Sequence, residues 1–385
     1  EADYPALMRR MAAFDARMLA EAARLGGPRY AALVGLSHRQ SLAACKLVAG
    51  PEGPPLSFSK ENASNGCMGT VDVFYPQFPH LLLLSPALAR ASLRPVLDFA
   101  SSPRWTKPYA PHDMGVYPFA DGPVFDGSDP KTDIYQMPVE ECGNMLVCLG
   151  ALSTVEGNAD FAGHWWPTVT KWAEYLAGHG FDPGNQLCTD DFAGHLAHNA
   201  NLSVKAIIGL ACYARMAGMR GDAAAARNYR ALAERLAAEW ARKAAGGAEG
   251  ATRLAFDKPG TWSMKYNLVW DRVLGLDLFP PEVARREMAA YRKFMLAYGV
   301  PLDCRNTWTK ADWMVWTAML TGDRGDFDAF IAALYKFADE TENRIPFTDY
   351  YGASNAVWQS FVARSVVGGL FMPFLVDELG RRAKK

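Results

Sequence analysis

Three stretches of this chain, 204–216, 313–320 and 366–376, are apolar almost all the way round a helical projection, and this limits what it can fold into more than any other feature. A helix without a polar face has to be surrounded on every side. Helices of the opposite type lie between these stretches. Residues 221–246 set Tyr229, Leu232, Leu236 and Trp240 on one face and Arg230, Glu234, Arg235, Glu239 and Arg242 on the other. Residues 158–178 line up Phe161, Trp165, Trp172 and Leu176 in the same way. The 3.6-residue periodicity predicts twelve helices, at 4–25, 27–49, 87–101, 138–155, 158–178, 192–217, 221–246, 267–275, 281–298, 309–321, 326–342 and 356–381. Amphipathic odd helices alternating with apolar even ones imply two concentric rings, an outer and an inner. The expected fold is therefore all-α, an (α/α)6 toroid of six helical hairpins forming a single domain over 1–385. An α-solenoid is the alternative, but no self-similar repeat of fixed period is visible.

The connections fit the toroid. Links from even to odd helices are mostly tight, as at Glu156-Gly157 and 322–325, with Asp326 as a candidate N-cap. Links from odd to even helices are long: 103–137, 179–191, 247–266, 299–308 and 343–355. Long loops at one rim of a rigid scaffold are where function concentrates. Segment 50–86 breaks the alternation and is expected to fold over the torus, with a β-type run from Thr70 to Tyr75.

Composition excludes several classes of partner. Net charge is -1 and no basic stripe could neutralise phosphates, so nucleic acid is not an expected partner. The run 366–376 is too short for a bilayer and carries Gly368, Gly369 and Pro373, so no membrane helix is expected. Seven scattered cysteines form no disulfide framework and have no metal-like spacing, so at least one thiol should be free. The chain starts at Glu1 without an initiator Met, which suggests a processed or excised piece.

Polar residues cluster in the long loops and in the first turns of the inner helices that follow them. The candidates are Lys60, Glu61 and Asn65; His112 and Asp113; Glu140, Glu141 and Asn144; Asp190, Asp191, His195, His198 and Asn199; Trp270 and Asp271; Asp303 and Arg305; and Asp312 with Trp313. Acids in a first turn, such as Glu140 and Glu141 after Pro138, also serve as ordinary capping residues, and Asp190 and Asp191 have the same dual reading. Capping does not account for Asn144, His195, His198, Asn199 or Asp271, which are expected inside helices that carry few other polar groups. Buried polar groups imply a mutual network or a wet, ligand-holding cavity. His195 and His198 lie three residues apart, but without an H-E-x-x-H pattern no metal or other cofactor is expected.

Two chemistries compete for these residues. Amide hydrolysis through an activated nucleophile would use Ser59, Ser64 or Thr189 with Lys60 or His195 as base, yet no G-x-S-x-G or S-x-x-K motif is present. Glycoside hydrolysis needs two carboxyl groups across a cavity. Carboxylates are abundant here: Glu61, Glu140, Glu141, Asp190, Asp191, Asp271, Asp303 and Asp312.

The strings SKENASNGCMGTVDVFYP, HDMGVYP, QMPVEECGNML, QLCTDDFAGHLAHNANLSVKAI, YNLVWDRVLGLDLFP, YGVPLDCRNTWTKADWMVW and RIPFTDYY resemble the central helical domain of the glutaminase A family, in order from Ser59 to Tyr351. The resemblance implies a six-hairpin glycosidase-like fold, usually preceded by a β-sandwich domain that this chain lacks. It also implies export, to a secreted or periplasmic location, and release of ammonia from L-glutamine. Two hypotheses follow. One is a glutaminase-type amidohydrolase dependent on a hydroxyl such as Thr189 or Ser64. The other is a glycoside hydrolase acting on an oligosaccharide, with its acid among Glu140, Glu141 and Asp191 and its base or nucleophile among Asp271, Asp303 and Asp312. A binding protein without turnover would leave the carboxylates unexplained.

Overall fold

The computed structural model describes residues 3–51, 53–124, 135–188 and 194–382. Helix α1 (Tyr4–Ala43) is broken at Gly27, whose φ of 76° is open to glycine, and Pro28 starts its second arm. The first arm folds back along the second, with Asp15 paired to Arg39 at 2.5 Å and the Phe14 ring 5.3 Å from His38. Strands β1 (Cys45–Ala49) and β2 (Pro55–Ser59) form an antiparallel hairpin with Cys45 opposite Ser59. The helices that follow are α2 (Val71–Leu84), α3 (Pro86–Ala100), α4 (Pro138–Glu156), α5 (Trp166–His179), α6 (Ala200–Met219), α7 (Ala223–Lys243) and α8 (Val269–Val273). After them come α9 (Pro281–Phe294), β3 (Trp308–Lys310), α10 (Ala311–Ala318), α11 (Arg324–Glu340), β4 (Tyr350–Gly352) and α12 (Met372–Arg382). Short 3₁₀ segments, Tyr266–Leu268 and Ser365–Phe371, lead into α8 and α12.

The inner ring closes on itself. Helix α2 packs on α4, α4 on α6, α6 on 266–268, that turn on α10, α10 on 365–371, and 365–371 back on α2. The outer layer is α3, α5, α7, α9, α11 and the second arm of α1, whose Tyr30 hydroxyl donates to the Leu370 carbonyl at 2.6 Å. Close approach in the inner ring depends on small residues: a Cβ on Gly150 of α4 would stand 2.5 Å from Cys212 Cβ of α6. Helix α6 is long and apolar enough to cross a membrane by composition alone, but 83% of its apolar window is buried inside the ring. All seven cysteines are free thiols.

The all-α toroid is as expected from the sequence, but one inner position is filled by a different segment. The inner place assigned to 27–49 belongs to α2, while residues 28–43 are an outer helix buried along a single stripe. The expected β-type run at Thr70–Tyr75 is instead the start of α2. Pro76 and Pro79 lie inside this helix, and prolines ordinarily mark a break. Burial of every residue from Val73 to Leu82 holds the segment helical despite them. Helix α6 also begins at Ala200, not at 192, because Asn199 caps it by accepting from the amides of Asn201 and Leu202 at 2.9 and 3.0 Å.

Aromatic side chains fill the middle of the ring. Tyr266 stacks on Trp313 with centroids 4.0 Å apart, Trp313 and Trp270 both meet Trp316, and Tyr75 lies against all three tryptophans. This plug fills the middle of the ring.

Candidate active site

The first turns of the inner helices and the loops entering them bring an acidic network to one end of the ring. Pro138 opens α4 and is followed by Glu140 and Glu141, both buried. Glu140 Oε1 takes a very short ion pair from Lys205 Nζ of α6, and both side chains are closed to solvent. The Lys205 ammonium also stands 4.3 Å above the Tyr75 ring. Asn144, one turn on, donates to Glu140 Oε1 at 3.3 Å and to Glu141 Oε2 at 3.0 Å. One amide thus ties the two neighbouring carboxyls together. Burial, and next the negative charge of Asp72, hold Glu141 well above the usual carboxyl range.

Asp72, in the first turn of α2, is pushed up to about 6 by burial, with Glu61 and Glu140 adding to the shift and His112 and Arg364 opposing it. His112 Nδ1 lies 3.0 Å from Asp113 Oδ2, and Asp113 Oδ1 accepts the amides of Gly115 and Val124 at 2.8 and 2.9 Å. Burial alone would discharge His112. The Asp113 hydrogen bond and the charges of Asp72 and Glu141 outweigh it and push the imidazole up to about 10.

A second arm of the network comes from the opposite side of the ring. Arg364, just before 365–371, pairs with Asp349 at 2.5 Å and faces Glu61 at 3.9 Å. Lys310 lies 3.3 Å from Asp312 and 3.6 Å from Asp349. Burial resists the charge on Asp349, but Arg364 and Lys310 hold its carboxyl below the usual range. Asp312 is wholly buried, and neither of its carboxyl oxygens has a hydrogen bond. Burial, reinforced by Asp349 and opposed by Lys310, pushes it up to about 6.

The structure therefore gathers Glu61, His112, Asp113, Glu140, Glu141, Asn144 and Asp312 of the sequence candidates at one end of the ring, while Trp313 belongs to the aromatic plug. Others are placed elsewhere or have their polar groups taken up locally. Asp271 is the clearest correction: it lies at the far ends of α8 and α10, where its carboxylate accepts the Leu278 and Phe279 amides at 3.0 and 3.1 Å and helps line a cavity of about 610 Å³. Asp303 is held by the backbone amide and guanidinium of Arg305 at 2.6–2.9 Å. Asn199 is a helix cap, contrary to the expectation of a polar group inside the helix. His198 precedes the helix at a φ of 61° and pairs with Asp182 at 2.7 Å. His195 is half-buried in the same segment. Trp270 belongs to the same plug, Lys60 lies 5.9 Å from the Tyr117 ring, and Asn65 is exposed and accepts the Cys67 amide. Asp190 and Asp191, with Thr189, fall outside the described residues. Of the candidate hydroxyls, Ser64 is bonded to Glu61 and Ser59 to the Thr70 carbonyl at 3.4 Å.

Asp72, Lys205, Asp349 and Arg364 were not singled out by sequence reasoning. Lys205 carried a signal, since a lysine in a helix with no other use for a cation near its start has to be paired. Asp72 was hidden by the β reading of its segment.

A closed ring of six inner helices, six outer ones, and a carboxylate-rich mouth at one end define a six-hairpin toroid of the kind found in glycosidases. The chain matches the Glutaminase A six helical-hairpin domain over residues 27–374 and belongs to that family. It is 36% identical over 377 residues to "Glutaminase A" of Aspergillus oryzae, covering 96% of this chain and 53% of that protein. It is 27% identical to a "Probable glutaminase" of Arthroderma benhamiae, covering 89% of this chain and 49% of that one. The chain thus spans about half the length of these relatives. Among solved structures it superposes on "Glycosidase Wild Type" with a TM-score of 0.60 at 16% identity, covering 94% of this chain and 98% of that one. It also superposes on a Streptococcus pneumoniae protein from a family of metal-independent alpha mannosidases, with a TM-score of 0.62 at 12% identity, covering 94% and 97%. At such identities these two establish the fold alone.

Proposed function

We propose that the chain is the hydrolytic domain of a glutaminase A-type enzyme that cleaves the side-chain amide of L-glutamine by acid–base catalysis. The observation that carries this reading is the Glu140–Glu141 pair: one carboxyl sits against an ammonium while burial raises its neighbour's affinity for a proton. Glu140 Oε1 takes both of its bonds, which leaves Oε2 for a water. In the proposed step Glu140 takes a proton from that water as its oxygen adds to the amide carbon. Glu141 gives its proton to the amide nitrogen, the C–N bond breaks, and ammonia leaves. A proton passing from Glu140 back to Glu141 resets the pair. Two carboxyls on one helical turn suit a single carbonyl centre, because base and acid can act from the same side.

Glycoside hydrolysis is the second reading, favoured by a different observation. Glu141 of α4 and Asp312 of α10 come from inner helices three places apart in a ring of six, hence opposite one another, and both have raised affinity for a proton. Acid and base on opposing walls is what a glycosidic bond requires. Ammonia release from L-glutamine, assayed beside a panel of aryl glycosides and oligosaccharides, separates the two. On the amidase reading Glu141→Gln abolishes ammonia release and Asp312→Asn leaves it within a few-fold. Glycoside turnover lost in both variants, with no ammonia from the parent chain, would overturn it in favour of the second.

A further inference from the structure

Glu61, Asp72 and His112 come from three separate segments: the turn after β2, the start of α2, and the long loop after α3. One carboxylate oxygen from each acid and one ring nitrogen of His112 lie within 4.8 Å of one another. His112 Nε2 is 3.8 Å from Asp72 Oδ1, beyond hydrogen-bond distance, although two such buried groups would gain by closing to about 2.8 Å. The other ring nitrogen is fixed by Asp113, whose second oxygen is held by two backbone amides, so Nε2 faces Asp72. Orienting an imidazole through a carboxylate on its far nitrogen is how metal-binding histidines are held. A further observation is independent of these three residues. Glu141 is wholly buried, feels the charges of Asp72, His112 and Glu140, and its Oε1 has no hydrogen-bond partner. Asp72 Oδ1 also lacks one. Buried oxygens without a hydrogen bond cost free energy that a cation would remove.

The geometry points to a divalent transition-metal site formed by Glu61, Asp72 and His112, with Asp113 as the residue that positions the imidazole. Mixed nitrogen and carboxylate donors suit zinc or manganese, whereas calcium and magnesium take oxygen ligands. Ligand atoms on a tetrahedral zinc at about 2.0–2.2 Å lie about 3.3–3.6 Å apart, so the three side chains would have to draw together by up to about 1.5 Å on binding. Arg364, 3.9 Å from Glu61, is already bound to Asp349. On binding, the metal replaces any proton on His112 Nε2, which is released to solvent. No short motif marks such a site, because its ligands lie 11 and 40 positions apart along the chain.

The inference does not rest on the glutaminase reading, since binding can be measured without turnover. Zinc chloride is titrated calorimetrically into the EDTA-stripped chain at pH 7, in a Cys304→Ser background that removes the exposed thiol. One site per chain is expected, weakened at least tenfold by Asp72→Asn, His112→Gln or Glu61→Gln. Asp113→Asn should weaken it about 10–100-fold, and the surface change Glu282→Gln should have no effect. Each variant's circular dichroism melt without metal confirms folding, and zinc should raise the melting temperature of the parent but not of Asp72→Asn. Absence of a stoichiometric site in the parent, or zinc binding that all three ligand variants retain unchanged, overturns the proposal. In either case ammonia release would still report separately on the acid–base pair.

Discussion

Replacing Lys205 by methionine isolates the ion pair on which the proposed division of labour depends. The Lys205 and Glu140 side chains are 0% and 1% exposed, so removing the ammonium strands a carboxylate inside the protein. The cheapest relief is for Glu140 to take up a proton. With a reference carboxyl pKa of about 4.3, holding that proton at pH 7 costs about 1.36 × 2.7, or roughly 3.7 kcal/mol, and at pH 5 only about 1 kcal/mol. The folded variant then binds one more proton than its unfolded chain, so its stability falls as pH rises above about 4.3. Methionine also removes the need to desolvate an ammonium, which makes 3.7 kcal/mol the upper figure. At about 2.1 cal/mol/K per residue, a 385-residue chain should lose about 4–5 °C in melting temperature at pH 7. Urea unfolding followed by tryptophan fluorescence at pH 5, 6 and 7 measures the effect. The double change Lys205→Met with Glu140→Gln should recover most of the loss, because no carboxyl is then left unpaired. A deficit equal at pH 5 and pH 7, or under about 1 kcal/mol at pH 7, refutes the reasoning.

Two further substitutions test the electrostatics and the assignment of residues to opposite ends of the toroid. Asp312, pushed up to about 6 by burial, keeps a proton in the folded state that the unfolded chain loses above about pH 4. Its contribution to stability therefore falls as pH rises from about 4 to 6, and Asp312→Asn should add roughly 2–3 kcal/mol at pH 7 and nothing near pH 4 in denaturant titrations. Asp271→Asn should cost about 1–3 kcal/mol through the Leu278 and Phe279 amides while ammonia release stays unchanged; a large loss of turnover without loss of stability would return Asp271 to the site.

How much of this was legible in the sequence follows from the physics of each element. Helices α6 and α10 are buried on all sides, so their inner position could be read directly from periodicity. Helix α2 is equally buried, yet Pro76 and Pro79 are local signals of a break, and only packing within a closed ring overrides them. That misreading removed Asp72 from consideration, and with it the group whose charge helps raise the affinity of Glu141 for a proton. Acids at the start of a helix stand out as candidates, but sequence could not separate capping from network. Asn199 and Asp271 satisfy backbone amides, whereas Glu140 and Glu141 are bound by side chains from elsewhere: Lys205 is 65 residues from Glu140. The distinction lies in which long-range partner arrives, and spacing along a chain does not carry it. The one local trace was energetic. A lysine at the start of an otherwise apolar buried helix is tolerated only with a counter-ion, so Lys205 implied a buried carboxylate even though its identity could not be read. A cation flanked by apolar residues at an inner-helix start is thus a better pointer to the mouth of such a toroid than the more numerous acids around it.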